Sequence, residues 1–129
     1  MIRKFTLLLP LLIAFFLVLW TACTGGRTTS EYAVRTGGDP QRGREIIMKF
    51  DCGSCHVIPG VRHAIGTVGP PLTQIARRTM IAGEVPNTPA NMVRWIQSPR
   101  SIEPGTAMPD LGLSEQQARD VAAYLYTLR

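Results

Sequence analysis

Residues 52–56 read Cys-Gly-Ser-Cys-His. Two thiols three positions apart, followed at once by an imidazole, are donors that bind metals and attack electrophiles. Three chemistries use such a set: a zinc site, a dithiol that exchanges with disulfides, and covalent attachment of a haem. A structural zinc site needs four ligands, usually two pairs at knuckle spacing. After Cys55 and His56 the chain holds no further cysteine, and His63 stands at a spacing that fits no common zinc module. A redox C-x-x-C follows a strand of a thioredoxin-like sheet, whereas the lead-in here, Arg42 to Phe50, reads as a helix. The bland reading is an accidental pair of cysteines in a core, where cysteines are common. The remaining reading is c-type haem attachment, for which C-x-x-C-H is the pattern. Two thiols one helical turn apart point to one side. They can add to the two vinyl groups on a haem edge, and His56 then stands under the iron as one axial ligand.

The second axial position decides what such a haem would do, and the candidates are His63, Met80, Met92, Met108 or none. His63 lies too close in sequence to His56 to reach the opposite face well, and a solvent-exposed loop position accounts for it. Met92 sits on the apolar stripe of a helix, where packing explains it. Met80 follows Arg77-Arg78-Thr79 and precedes a glycine turn. Met108 lies in Pro104-Gly105-Thr106-Ala107-Met108-Pro109, a loop stiffened by two prolines and without helical period. A methionine held on a rigid loop has no evident core role. Its soft thioether suits ferrous iron and raises the potential. His56 and Met108 together would close the iron to substrates and leave one-electron cycling.

These groups must be positioned by helices. Asp39 and Pro40 start one, with Gly43, Ile46, Ile47 and Phe50 on a single stripe. Thr88-Pro89 starts another, carrying Met92, Val93, Trp95 and Ile96 and ending near Ser98 because Pro99 follows. Ser114 and Gln117 form a capping-box pattern before Ala118, Val121, Ala122 and Leu125. A short helix is expected from Pro71 to Arg78. No segment alternates like a strand with a partner, so the class is all-α. Loops 57–70 and 97–113 are long for so small a body. With a thin core, they need something large and apolar to wrap around.

The 129 residues suffice for one domain. Met1-Ile2-Arg3-Lys4 and the apolar run Phe5–Trp20 read as a signal peptide or membrane anchor over 1–22. Cys23 follows small residues, as at a bacterial lipoprotein processing site, and is the candidate lipidated residue. Residues 23–37 then form a polar, Gly- and Thr-rich linker, and 38–129 the folded domain. All these readings deliver the domain outside the cytoplasm, membrane-tethered on the periplasmic or extracytoplasmic side, where haem and thiols can meet. The net charge of +5 includes Arg3 and Lys4, and what remains is too mild for nucleic acid.

From residue 38 onward the sequence resembles the class I (mitochondrial-like) c-type cytochromes, in a membrane-anchored bacterial form linked with oxidases. GDPQRGREII looks like the family's first helix, with Gly43 allowing a close helix crossing. CGSCH is the haem motif. GPPL, Gly69 to Leu72, looks like the loop whose proline carbonyl, that of Pro70, orients the axial histidine. In WIQSPRSIEPGTAMP, Trp95 matches an aromatic position often filled by tyrosine, and Thr106 a residue that holds a propionate or the ligand loop. DVAAYLYTL looks like the last helix, with Tyr124 packing near Gly43. Trp95 and a longer Val57–Gly69 segment are departures.

The resemblance implies a class I cytochrome c fold, three to five helices wrapped around one haem c bound covalently through Cys52 and Cys55. It implies an electron carrier, not an enzyme, without a small-molecule substrate. Its partners would be a terminal oxidase and a quinol–cytochrome c oxidoreductase. A fixed haem subunit of a larger oxidase or dehydrogenase is the alternative. A five-coordinate haem enzyme or gas sensor is a third, and Met108 argues against it.

Overall fold

The computed structural model describes residues 35–129. The expected leader, the candidate lipidation residue Cys23 and the expected linker as far as residue 34 lie outside the described residues. Three helices carry the domain: α1 (Pro40–Lys49), α2 (Pro89–Gln97) and α3 (Glu115–Leu125). Each begins where its sequence provides a partner for the free amide groups of a first turn. The Asp39 carboxylate accepts from Arg42 N at 2.9 Å. The Thr88 hydroxyl accepts from Asn91 N at 3.2 Å. The Ser114 hydroxyl accepts from Gln117 N at 3.3 Å, while Ser114 N donates to Gln117 Oε1 at 2.9 Å. Proline stands at the first position of α1 and of α2. Pro99 bars α2 from continuing past Ser98.

The helices α1 and α3 cross in contact, and glycine makes that possible. A Cβ on Gly43 would lie 2.0 Å from the Asp120 carbonyl oxygen. One on Gly38 would lie 2.1 Å from that of Arg119. Asp120 locks the crossing: its carboxylate accepts from Asp39 N at 2.7 Å and from Arg42 Nε and Nη2 at 3.0 Å each. Gln116 Nε2 adds a further bond at 3.0 Å. The expected stripes face inward. Gly43 and Ile47 of α1, Met92, Val93 and Ile96 of α2, and Ala118, Val121, Ala122 and Leu125 of α3 are buried.

Two local expectations differ from what forms. The helix expected over Pro71–Arg78 is a single 3₁₀ turn at Ile75–Arg77. Pro70 and Pro71 have no N–H, and the amides around them bond elsewhere: Gly69 N to Cys55 O and Leu72 N to Val57 O, both at 2.8 Å. Arg78 Nη2 donates to Pro71 O. The segment is thus a loop docked on the C-x-x-C-H turn. Extended pairing also occurs: β1 (Met80–Ile81) and β2 (Val85–Pro86) form a two-residue antiparallel ladder. Two residues are too few to show alternation. The turn between them uses positive φ at Ala82 and Gly83 (53° and 80°).

Candidate cofactor site

The cysteine motif folds as one tight turn. Asp51 leaves α1 in the left-handed region (φ 52°) and Cys52–Ser54 form a 3₁₀ turn. The amides of Cys55 and His56 both donate to Cys52 O, at 3.3 and 3.0 Å. Gly53 sits against the next loop, where a Cβ would meet Ala64 Cα at 2.7 Å. Cys52 and Cys55 are not joined in a disulfide, and both line the same cavity. Burial pushes the Cys52 thiol above its ordinary value.

That cavity holds about 440 Å³, within the range of small-molecule and cofactor sites. The cysteine turn, the Gly69-Pro70 loop, α2, α3 and the Thr106–Pro109 segment all contribute walls. The long loops therefore do enclose a space. Most of its walls are apolar, from Ile47, Ile58, Leu72 and Ile81 to Val121 and Leu125.

His56 is held from behind. Its Nδ1 lies 2.8 Å from Pro70 O. A carbonyl oxygen only accepts, so Nδ1 carries the proton and the Nε2 lone pair is left for a metal. Gly69 completes the cradle, since a Cβ there would lie 2.3 Å from His56 Cε1. The likeness to known proteins pointed to Pro70 alone. Gly69 is added by the geometry, and only its adjacency to Pro70 hinted at it.

Met108 is half-buried and lines the same cavity. Its amide donates to Thr106 Oγ1 at 3.2 Å. Thr106 N donates in turn to Glu103 O at 3.0 Å, and Gly105 N to Glu103 Oε1 at 2.8 Å. Thr106 thus fixes the turn that presents the methionine. Trp95, half-buried on α2, lines the cavity too, as do Met80 and Met92. Met92 is 2 % exposed and belongs to the core, while Met80 on β1 is 39 % exposed at the wall. His63 is exposed with φ 59° and forms no part of the cavity wall.

The donor set fits a haem. Two thiols on one turn, an imidazole with a free Nε2 and a thioether border one apolar space. Its charged wall residues are Asp51, Arg78 and Glu103. Arg78 can serve the acid groups of a porphyrin. Among the described residues no group of three His, Cys, Asp or Glu side chains could hold a metal unaided. That disfavours the zinc reading.

A family model for cytochrome c matches residues 40–129. The chain belongs to the class I c-type cytochromes. The match spans all three helices and every cavity wall described above. This cytochrome binds haem c covalently through Cys52 and Cys55, and it is an electron-transfer module and not a catalyst. Over 89 residues it is 33 % identical to cytochrome c oxidase subunit 2 of Alkalihalophilus pseudofirmus, covering 68 % of this chain and 25 % of that protein. It is 29 % identical over 89 residues to cytochrome c oxidase subunit 2 of a Bacillus species, covering 66 % of this chain and 25 % of that one. The chain thus aligns with about a quarter of the length of these relatives.

Proposed function

We propose that this cytochrome is a one-electron carrier whose haem iron is six-coordinate, with His56 and Met108 as axial ligands. The observation that carries this is that His56 and Met108, remote in sequence, border one cavity with both cysteines. When bound, the haem supplies reversible one-electron chemistry. The protein supplies Nε2 of His56, held by the Nδ1–Pro70 hydrogen bond, and the Met108 sulfur presented by the Thr106 turn. With both axial positions filled, no coordination site is open to a substrate, which sets aside a five-coordinate enzyme or sensor.

In this reading the domain is exported and tethered on the periplasmic side, through lipidated Cys23 or an uncleaved leader over 1–22. It takes electrons from a quinol–cytochrome c oxidoreductase and passes them to a terminal oxidase. The similarity to oxidase subunit 2 supports the oxidase end. It equally favours a second arrangement, a fixed haem subunit of an oxidase. Purification from solubilised membranes separates the two, because a fixed subunit stays with the oxidase through chromatography and a carrier does not.

Replacement of the thioether tests the ligation. Oxidised protein with a methionine–iron bond absorbs in the far red, and Met108→Ala removes that band. The reduced variant then binds carbon monoxide, which the wild type resists. A far-red band that survives in Met108→Ala would rule Met108 out.

A further inference from the structure

Ile65 and Val68 are 78 % and 73 % exposed, the barest large apolar side chains of the described residues. Scattered apolar side chains on a surface need no explanation. These two share one short loop, and that loop is not loose. Gly66 N donates to Gly53 O at 3.0 Å and Gly69 N to Cys55 O at 2.8 Å. Ile65 also bridges to Val57. Gly66 lies so close to the cysteine turn that a Cβ would stand 2.2 Å from Ser54 O. Ile65 and Val68 are therefore fixed to the backbone of the turn that carries Cys52 and Cys55. Val68 lines the cavity mouth, whereas Ile65 is not part of the cavity wall, so filling the cavity leaves it bare.

The loop and the residues that follow it are uncharged. From Ala64 to Ala76 no residue bears a charge, and Thr67, Pro70, Pro71, Thr73 and Gln74 within that stretch are exposed. The arginines lie to either side, at Arg62 and at Arg77 and Arg78. A basic protein would ordinarily be expected to steer partners by charge. Here the loop docked on the cysteine turn carries no charge and exposes Ile65 and Val68, although Asp51, beside Cys52, is exposed on the turn itself.

We propose that the Ile65–Val68 loop is the docking face for this cytochrome's redox partner, and that the partner meets it with an uncharged, apolar face over its own redox centre. The inference rests on the electron-transfer role. An electron leaves where the cofactor comes nearest the surface, and the loop is hydrogen-bonded to the cysteine turn that tethers it. The macromolecule that this role brings there is another redox protein. Neutral contact on both sides makes the encounter depend on apolar burial more than on ionic strength.

A second copy of the cytochrome presents one such face, so electron self-exchange between haem-loaded full-length molecules tests the proposal without any other partner. Self-exchange, followed by NMR line broadening in mixed oxidation states, is expected to change by less than about twofold between low and physiological salt. It should fall about fivefold or more in Ile65→Ser, at a position outside the cavity wall, with the absorption spectrum and the reaction with a small uncharged oxidant unchanged. Ile65→Lys should slow exchange and make it rise with salt; it also serves if Ile65→Ser fails to fold. An unchanged rate in these variants would overturn the proposal. So would a wild-type rate that climbs about tenfold with salt, which would assign contact to the arginines. Failure to reduce an oxidase would count against the proposed pathway and leave this measurement intact.

Discussion

Asp120 is only 3 % exposed, yet it is built to be charged. Burial works against its ionisation, but Arg42, the Asp39 amide and Gln116 all donate to the carboxylate and outweigh that penalty. Its pKa is therefore held below the ordinary 3.8. A carboxyl whose folded-state value is depressed stabilises the fold above its unfolded value. That contribution is lost as pH falls through 3.8 toward the lower folded value. Asp120→Asn keeps the shape but loses the charge. Thermal melts should show it less stable than wild type at neutral pH, with the difference shrinking below about pH 4. A gap between the two proteins that persists undiminished into acid would refute this account. At this scale the cysteine pair was legible in the sequence because covalent attachment demands specific atoms at a fixed spacing. Met108 stood out through its prolines. Asp120 and Gly69 did not, because their importance lies in which backbone they face, and no local pattern records that.

Helix ends were the most legible part of the elements, since a cap is a local affair of three or four residues. Asp39, Thr88 and Ser114 each bond the amide three positions on. The stretch after Pro70 forms only a 3₁₀ turn in place of the expected helix, because its local bonds close tight turns while two of its amides bond elsewhere. Leu72 N donates to Val57 O and Ala76 N to Leu128 O. The helix crossing was half legible. Gly43 stands on the apolar stripe, but only the fold shows that the Asp120 carbonyl occupies its missing side chain's place. Gly43→Ala should therefore destabilise by about 1–3 kcal/mol, although alanine favours helix. Chemical denaturation reads this directly. A gain in stability would mean that α1 and α3 move apart freely, contrary to their locking by Asp120. As α1 leads into the cysteine turn through Phe50 and Asp51, the same variant should also lower the yield of haem-loaded protein.

For the molecule as a whole, the cofactor is the missing part of the core. Small domains bury little apolar surface of their own, and here much of what the helices turn inward faces a cavity. Ile47, Met92, Ile96, Val121 and Leu125 are buried and yet line it. Filling that space stabilises the fold in either of two ways. A ligand that dissociates stabilises by mass action, about 1.4 kcal/mol for each tenfold rise in its free concentration. A ligand bonded through Cys52 and Cys55 cannot be diluted away, so the fold keeps its full support at any concentration. The variant C52S/C55S retains His56 and Met108 and should still bind haem, but reversibly. Its haem should pass into acidified organic solvent, which leaves wild-type haem on the protein. Its melting temperature should rise with added free haem, roughly 4–8 °C for each kcal/mol gained. Wild type should show no such dependence. A variant melting point that ignores added haem would mean that the core closes without the cofactor, and the long loops would then need another reason to be long.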